Sequence, residues 1–119
     1  MWPLRLSAKQ RQGQLGERRA LDFLEAQGLT LVEANFRCKG GEIDLVLRDG
    51  AALVFVEVRQ RASRSHGGAA ASITPAKLRR LVCAAQFYLQ RLPQLPPCRI
   101  DVVAIDGDQV DWLRDAVQV

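Results

Sequence analysis

The sequence predicts one α/β domain, residues 1–119, with a central mixed sheet of four to five strands flanked by helices. Three observations carry this prediction. A chain of 119 residues is about one domain long, and such a domain can bury roughly two-thirds of its unfolded surface. A hydrophobic fraction of 48% and a charged fraction of 25% are typical of a soluble globular protein. The apolar patterns run in the order helix, three strands, helix, then one or two strands, as in a layered α/β fold.

The first helix is predicted over residues 7–27, with Gly28 as its stop. Its apolar side chains recur at helical spacing, at Leu15, Ala20, Leu21, Phe23 and Leu24. Glu17 lies on the same stripe, because apolar residues follow it at intervals of three, four and seven positions. Its carboxyl therefore points at the sheet, unless it lies just past the edge of the core.

Three strands are predicted next. The first covers residues 29–37, and Gly40-Gly41 separates it from a hairpin with arms at residues 41–47 and 53–59. Asp49-Gly50 is a typical two-residue turn between these arms. The two arms are therefore expected to be antiparallel neighbours in the sheet.

A turn at Asp49-Gly50 sets the register of the hairpin. It places Asp44 opposite Phe55 and Glu42 opposite Glu57. Because side chains alternate across a strand, these four residues and Arg59 are expected to project from one face. Asp44 and Glu57 are then diagonal neighbours, with Cα atoms roughly 7–8 Å apart.

Two carboxylates that converge in this way need a positive charge between them. At about 6 Å and an effective dielectric constant near 20 they repel by roughly 3 kcal/mol. A divalent cation held by oxygen ligands would remove this repulsion, and so would the guanidinium of Arg59 or Arg61. The alternative is that this face is solvated and that both acids are ordinary surface residues.

The second half of the chain predicts a loop, a helix and one or two strands. Residues 62–73 have no apolar period and predict a flexible loop, in which His66 is interpreted as a loop residue. Thr74-Pro75 is a typical helix start, and a long apolar face follows it. A strand over residues 99–105 and a short partner over residues 110–113 complete the sheet.

The charge of the chain favours a polyanionic partner. The net charge is +4, and 14 of the 17 basic residues are Arg, which matches phosphate with paired hydrogen bonds. A high-GC coding sequence would produce the same bias without functional meaning. The distribution is more informative, because basic residues bracket the two hairpin acids. They are Arg37 and Lys39 on one side and Arg59, Arg61 and Arg64 on the other.

Several classes of protein are not expected. No apolar run is long enough to span a membrane, and the first residues lack the hydrophobic segment of a signal peptide. We therefore expect a cytoplasmic protein without a membrane partner. Cys38, Cys83 and Cys98 form no Cys-x-x-Cys pair, which favours packing roles over a zinc site or a disulfide.

Asp44 followed by Glu57-Val58-Arg59, with Glu17 upstream, resembles the Asp…Glu-x-Lys signature of restriction-endonuclease-like nucleases, particularly the Holliday-junction resolvases. Nearly the whole chain is also similar to the YraN family of small uncharacterised proteins. The segments that match are Gly16-Glu17, Asn35-Phe36-Arg37 and residues 41–46, 55–59 and 99–103. The short acidic signature has low specificity, whereas the ordered series of segments is specific.

The resemblance implies a restriction-endonuclease-like fold and a metal-dependent nuclease that acts on phosphodiester bonds of DNA, including structured or branched DNA. By position, Glu17, Asp44 and Glu57 would bind Mg²⁺ or Mn²⁺ and would be catalytic together with Arg59. The candidate nucleic-acid contacts are Arg37, Lys39, Arg61, Arg64 and Lys77.

Arg59 departs from the superfamily pattern, which usually has Lys at this position. Arg keeps its proton near neutral pH, so it can orient water or hold a phosphate but cannot act as a general base. Lys77, at the start of the second helix, is a candidate to supply an ammonium instead. Two alternatives to a nuclease stay open: a DNA-binding module of the same fold without turnover, and a protein-interaction domain. Whether the chain forms a homodimer also stays open.

Overall fold

The computed structural model describes residues 8–61 and 68–117. Its helices are α1, Ala8–Ala26, and α2, Pro75–Gln90. Its strands are β1, Thr30–Cys38; β2, Gly41–Asp49; β3, Ala52–Arg61; β4, Cys98–Asp106; and β5, Gln109–Val117. A short 3₁₀ helix, Ala70–Ser72, precedes α2.

The five strands form one mixed sheet in the order β1-β2-β3-β4-β5. The neighbours β3 and β4 are parallel, and the other three pairs are antiparallel. Helix α2 lies in the connection between the two parallel strands, which is the usual role of a helix in a β-α-β unit. The predicted α/β class with a helix-flanked mixed sheet is confirmed, and the architecture is consistent with a restriction-endonuclease-like fold.

The two helices cover opposite faces of the sheet. On one face, the buried residues of α1 pack against the sheet in a core made of Ala20, Leu24, Leu29, Leu45, Leu47, Val54, Val56, Val103 and Ile105. On the other face, α2 contributes Leu81, Ala84, Ala85 and Tyr88 to a second core that includes Phe36, Val46 and Phe55. Because β3 is covered on both sides, its residues 53–56 are all buried, which explains their unbroken apolar run.

The predicted turn of the β2–β3 hairpin was wrong by one position. Asp49 pairs with Ala52, so Gly50 and Ala51 form the turn, and Gly50 takes a φ of +60°. A glycine at the first central position is typical of a type II′ turn, whereas the prediction had placed Gly50 at the second position of the two-residue turn. The Asp49 carboxylate also accepts a hydrogen bond from Arg99 at 2.9 Å, which holds Asp49 in the strand.

This change moves the register by two residues. Val46, rather than Asp44, pairs with Phe55, and the last pair before the acids is Leu45 with Val56. A shift of two preserves the face to which each side chain points. It brings Asp44 level with Glu57 on the neighbouring strand instead of diagonal to it.

Helix α2 begins as predicted and packs closely against the β1–β2 turn. The Thr74 side chain accepts a hydrogen bond from the Lys77 N–H at 3.2 Å, and Pro75 is the first helical residue. A methyl group on Gly41 would overlap the carbonyl oxygen of Arg80, and one on Gly40 would overlap the Cys83 thiol. The two glycines therefore allow the turn to contact the helix directly.

A buried carboxylate organises the edge strand β5, which is longer than the predicted residues 110–113. Asp101 is fully buried and accepts hydrogen bonds from Arg99, from the Trp112 indole at 2.9 Å and from the Asp115 N–H at 2.8 Å. The β4–β5 register shifts between Ile100 and Val102, beside this group. Asp101 thus satisfies backbone and side-chain donors where the two strands separate.

The predicted flexible loop lies partly outside the described residues, since these resume at Gly68. The end of the loop is attached to the sheet at two points. Ala69 N–H donates to the Asp106 carboxylate at 2.7 Å, and Arg59 donates to the Ser72 hydroxyl at 3.1 Å. These two contacts attach the segment just before α2 to β4 and β3.

Neither α1 nor α2 combines the length and the apolar character that a bilayer-crossing helix requires.

Candidate functional site

Three acidic side chains from three elements meet at one end of the sheet. Asp44 lies in β2, Glu57 lies level with it in β3, and Glu17 lies in the middle of α1. In the β1–β2 register Asn35 falls level with Asp44, between the pairs Ala34–Leu45 and Phe36–Ile43. The predicted metal ligands are therefore neighbours in the fold, with Asn35 beside them.

Asp44 occupies an irregular point of β2. Ile43 and Val46 pack in the α2-side core although an even alternation would put them on opposite faces, and Leu45 packs on the α1 side. The backbone pairs of β2 and β3 stop at Leu45 and Val56, and beyond them the Asp44 Oδ2 accepts the Val58 N–H at 2.7 Å. A carboxylate thus replaces the backbone ladder between the two strands, which opens the site.

The three carboxyls form a chain with Asp44 in the middle. The Glu57 carboxyl and the Glu17 carboxyl each share a hydrogen bond with Asp44. Burial, followed by the negative charge of Asp44, raises the pKa of Glu57 to about 8 and that of Glu17 to about 7. Burial also raises the pKa of Asp44, although the Val58 N–H and Glu57 oppose this change. The site therefore retains protons at neutral pH that ordinary carboxyls would have released.

The expected countercharge is only partly present. The Arg59 Nη1 lies 3.9 Å from the Glu57 carboxylate, at the outer limit of an ion pair. Its Nε donates to the Ser72 hydroxyl, and its Nη2 lies 3.5 Å from the Ser72 carbonyl oxygen. Arg59 thus supports the segment before α2 as well as facing Glu57, and it leaves the pKa of Glu57 raised.

Sequence reasoning did not identify Asn35 as a site residue. Its amide is assigned with Nδ2 toward Glu17, because the opposite orientation would place an oxygen against the carboxylate, and Nδ2 then donates to the two carboxylate oxygens at 3.2 and 3.3 Å. Asn35 also has a φ of +56° inside a strand, which is uncommon for a residue with a side chain. Two sequence signals pointed to it: Asn35 belongs to one of the segments that resemble the YraN family, and it is a turn-favouring residue within an otherwise regular strand pattern.

Helix α1 reaches the site because it carries no side chain at Gly16. A methyl group there would lie 2.5 Å from the Gln60 Oε1 of β3. Within the described residues, that oxygen is buried and has no hydrogen-bond partner. The close approach of α1 to β3 brings Glu17, the next residue, toward the two strand acids.

The predicted nucleic-acid contacts group around the same end of the sheet. Arg37 and Lys39 lie at the end of β1, beside the start of β2, and Arg61 lies at the end of β3; all three are exposed. Lys77 is exposed in the first turn of α2, and its positive charge acts on Glu57. Arg64 lies outside the described residues. The positive residues thus border the acids rather than neutralise them.

The carboxyls do not surround a common point. Across residues 8–61 and 68–117, no group of three or more His, Cys, Asp or Glu side chains has the arrangement of a metal-holding cluster. The hydrogen-bonded chain through Asp44 explains this, because carboxyls that share protons face one another instead of one centre. Their donor chemistry is nevertheless that of a site for a hard cation.

Comparison with known proteins gives a family and several close relatives. Residues 16–105 match the description "Uncharacterised protein family UPF0102". The chain is 58% identical over 112 residues to a UPF0102 protein of Herminiimonas arsenicoxydans, covering 94% of this chain and 90% of the relative. It is 59% identical over 112 residues to a UPF0102 protein of Janthinobacterium sp. (strain Marseille), covering 94% and 91%. A UPF0102 protein of Ralstonia pickettii (strain 12J) is 60% identical over 112 residues, covering 90% of each chain.

Proposed function

The chain belongs to the uncharacterised protein family UPF0102, and we propose that it is a metal-dependent nuclease acting on phosphodiester bonds of DNA, including structured or branched DNA. We further propose that it belongs with the YraN proteins in the restriction-endonuclease-like superfamily, on the segments that resemble them. The observation that carries the proposal is the meeting of Glu17, Asp44 and Glu57 from three separate elements. Structural acids are normally paired with bases, and these acids face one another.

The acids fit a divalent cation by their chemistry. All three donors are carboxylate oxygens, which Mg²⁺ and Mn²⁺ prefer. Burial, followed by the negative charge of Asp44, raises the pKa of Glu57 to about 8 and that of Glu17 to about 7, so the nearby bases do not suffice to keep all three carboxyls ionised at neutral pH. Glu17, Asp44 and Glu57 would hold the cation, which would supply an activated water and neutralise charge on a phosphodiester.

The surrounding residues have separable roles in this proposal. The Val58 N–H binds Oδ2 of Asp44 and so sets the orientation of this carboxylate in the site. Arg59 keeps its proton and is tied to Ser72, so it orients the site and does not act as a base. Lys77 places an ammonium within electrostatic range of Glu57, where it would meet a bound phosphate.

The nuclease proposal is tested by DNA cleavage with purified protein and Mg²⁺ or Mn²⁺. Plasmid, linear and branched synthetic DNA are the substrates, and Asp44→Asn and Glu57→Gln are the test variants. Cleavage should disappear in both variants and in the presence of EDTA. Glu25→Gln, an exposed acid of the same helix as Glu17, is the matched control and should cleave like the wild type. Equal cleavage by all four proteins would indicate a contaminant and refute the proposal.

One observation favours a second function, a DNA-binding module without turnover. The position at which nucleases of the superfamily usually carry Lys holds Arg59, and its guanidinium is occupied by Ser72. On this proposal the protein binds DNA with an affinity that falls steeply with salt, because phosphate contacts release counterions. Binding without product at any metal concentration would favour this function over the nuclease.

A further inference from the structure

We propose that Asn35 is a positioning residue of the acid site, whose side-chain amide holds the Glu17 carboxylate beside Asp44. The inference rests on the proposed function, since it assigns Asn35 a role in forming the cation site. It adds a fourth residue to the three acids, and it explains how an acid on a separate helix is kept in register with two acids on the sheet.

The first observation is the backbone of Asn35. Its φ of +56° lies in the left-handed region, in the middle of β1 and between two regular pairs with β2. Such a conformation is unfavourable for a residue with a side chain, and Asn is among the residues that tolerate it best. Regular pairing inside a strand does not require a positive φ, so some other interaction of Asn35 must maintain it.

The second observation is the contact between the Asn35 side chain and the Glu17 carboxylate. The Asn35 amide contacts both oxygens of the Glu17 carboxylate, at 3.2 and 3.3 Å. A nitrogen shared between both oxygens fixes the distance of the carboxylate and the direction in which it points. Asn35 is also level with Asp44 on the adjacent strand, so it holds the Glu17 carboxylate beside Asp44.

The same device occurs at the second non-glycine residue with positive φ among those described. Asp115 has a φ of +51°, and its N–H donates to the buried Asp101 carboxylate. At both positions an unusual backbone angle accompanies a hydrogen bond to a carboxylate. At Asp101 that carboxylate also accepts from Arg99, whereas Glu17 shares its other hydrogen bond with Asp44.

The third observation concerns charge. Arg37 is the nearby cation that acts on Glu17, but its side chain is 75% exposed and pairs with Glu42. A neutral amide orients Glu17 without supplying a charge. When the carboxylate ionises, its negative charge is not cancelled by Asn35 and can bind a cation. An arginine or lysine at position 35 would compete with that cation.

The test is a double-mutant cycle read out by the dissociation constant for Mn²⁺, measured by titration with electron paramagnetic resonance of free Mn²⁺. Asn35→Gly removes the amide but accepts positive φ, so it leaves the backbone requirement satisfied. We expect Asn35→Gly to weaken Mn²⁺ binding at least tenfold, in line with the loss of other hydrogen bonds to metal ligands. In a Glu17→Gln background the same substitution should have no further effect, because the group it positions is gone.

A second measurement follows the contact without a cation. The side-chain amide resonance of Asn35 in a ¹H–¹⁵N spectrum should move when Glu17 is replaced by Gln, and should not move with Glu25→Gln. Wild-type affinity in Asn35→Gly, equal losses in both backgrounds, or an Asn35 resonance indifferent to Glu17→Gln would each overturn the proposal. A wild-type protein that binds no Mn²⁺ while the Asn35 resonance still responds would instead refute the cation site and support the hold on Glu17.

Discussion

Replacing Glu57 by Gln is expected to change how the free energy of unfolding depends on pH. Burial and the charge of Asp44 raise the pKa of Glu57 from 4.5 to about 8 in the folded protein. Between these values the folded protein keeps a proton that the unfolded chain has released, so stability falls as the pH rises. Below pH 4.5 both states are protonated and the contribution is fully present.

The size of the effect follows from the two pKa values. A difference of about 3.5 pH units corresponds to roughly 5 kcal/mol, at about 1.4 kcal/mol per unit. Glu57 shares its proton with Asp44, which spreads the effect over two groups. We therefore expect the wild type to lose about 2–4 kcal/mol relative to Glu57→Gln between pH 4.5 and pH 8.

Urea unfolding without divalent cations at pH 4.5, 6, 7 and 8.5 measures this difference. The two proteins should have similar free energies of unfolding at pH 4.5, and Glu57→Gln should be the more stable at pH 8.5. Glu25→Gln controls for removal of an acid, because Glu25 is exposed. It should run parallel to the wild type at every pH.

A difference between Glu57→Gln and the wild type that stays constant from pH 4.5 to pH 8.5 would refute the reasoning. It would mean that the Glu57 carboxyl ionises alike in the folded and unfolded states, so that the acids do not crowd one another. A Glu57→Gln variant less stable than the wild type at pH 8.5 would refute it more strongly, since it would require the ionised carboxylate to be stabilising.

Gly41→Ala should destabilise the protein by about 2–3 kcal/mol in thermal unfolding, because its methyl group would overlap the Arg80 carbonyl oxygen of α2. Gly16→Ala should cost less in the same measurement, because its methyl group would meet the movable end of the Gln60 side chain. Asp101→Ala should cost about 3 kcal/mol or more in urea unfolding, because it leaves the Arg99 Nε, the Trp112 indole N–H and the Asp115 N–H without their acceptor. Arg59→Ala should cost about 1 kcal/mol through its lost hydrogen bonds, whereas Arg61→Ala, at an exposed position, should leave the urea midpoint unchanged; equal losses would contradict the role given to Arg59.

Most of the fold could be predicted from the sequence because its cues are local. Helical spacing with Gly28 as the stop predicted α1 to within about one residue at each end, and Thr74-Pro75 predicted the start of α2. Runs of β-formers between turn residues predicted the strands. The sheet has five strands, which lies within the predicted range. Strand β5 is longer than expected because the Asp101 carboxylate accepts a hydrogen bond from the Asp115 N–H, 14 residues further along the chain.

The register of the hairpin was less predictable. Gly50 can occupy either central position of a two-residue turn. Its first position is favoured by the hydrogen bond that Asp49 accepts from Arg99, 50 residues further along the chain, because this bond holds Asp49 in the strand. The error was an even number of residues, which does not turn one strand over relative to the other, and Asp44 and Glu57 still meet. It misplaced them along the strands, since they are level rather than diagonal.

From local patterns alone, this chain specifies a mixed α/β layer, the acids at positions 17, 44 and 57, and basic residues near them in the sequence. Three-dimensional packing decided that a helix acid joins the two strand acids, that Asn35 contacts the first of them, and that Arg59 is shared with Ser72. The physical reason is that a hydrogen bond or a desolvated charge depends on which segments come together in space. Hydrophobic periodicity specifies which face is buried, but not which polar groups meet at its edge.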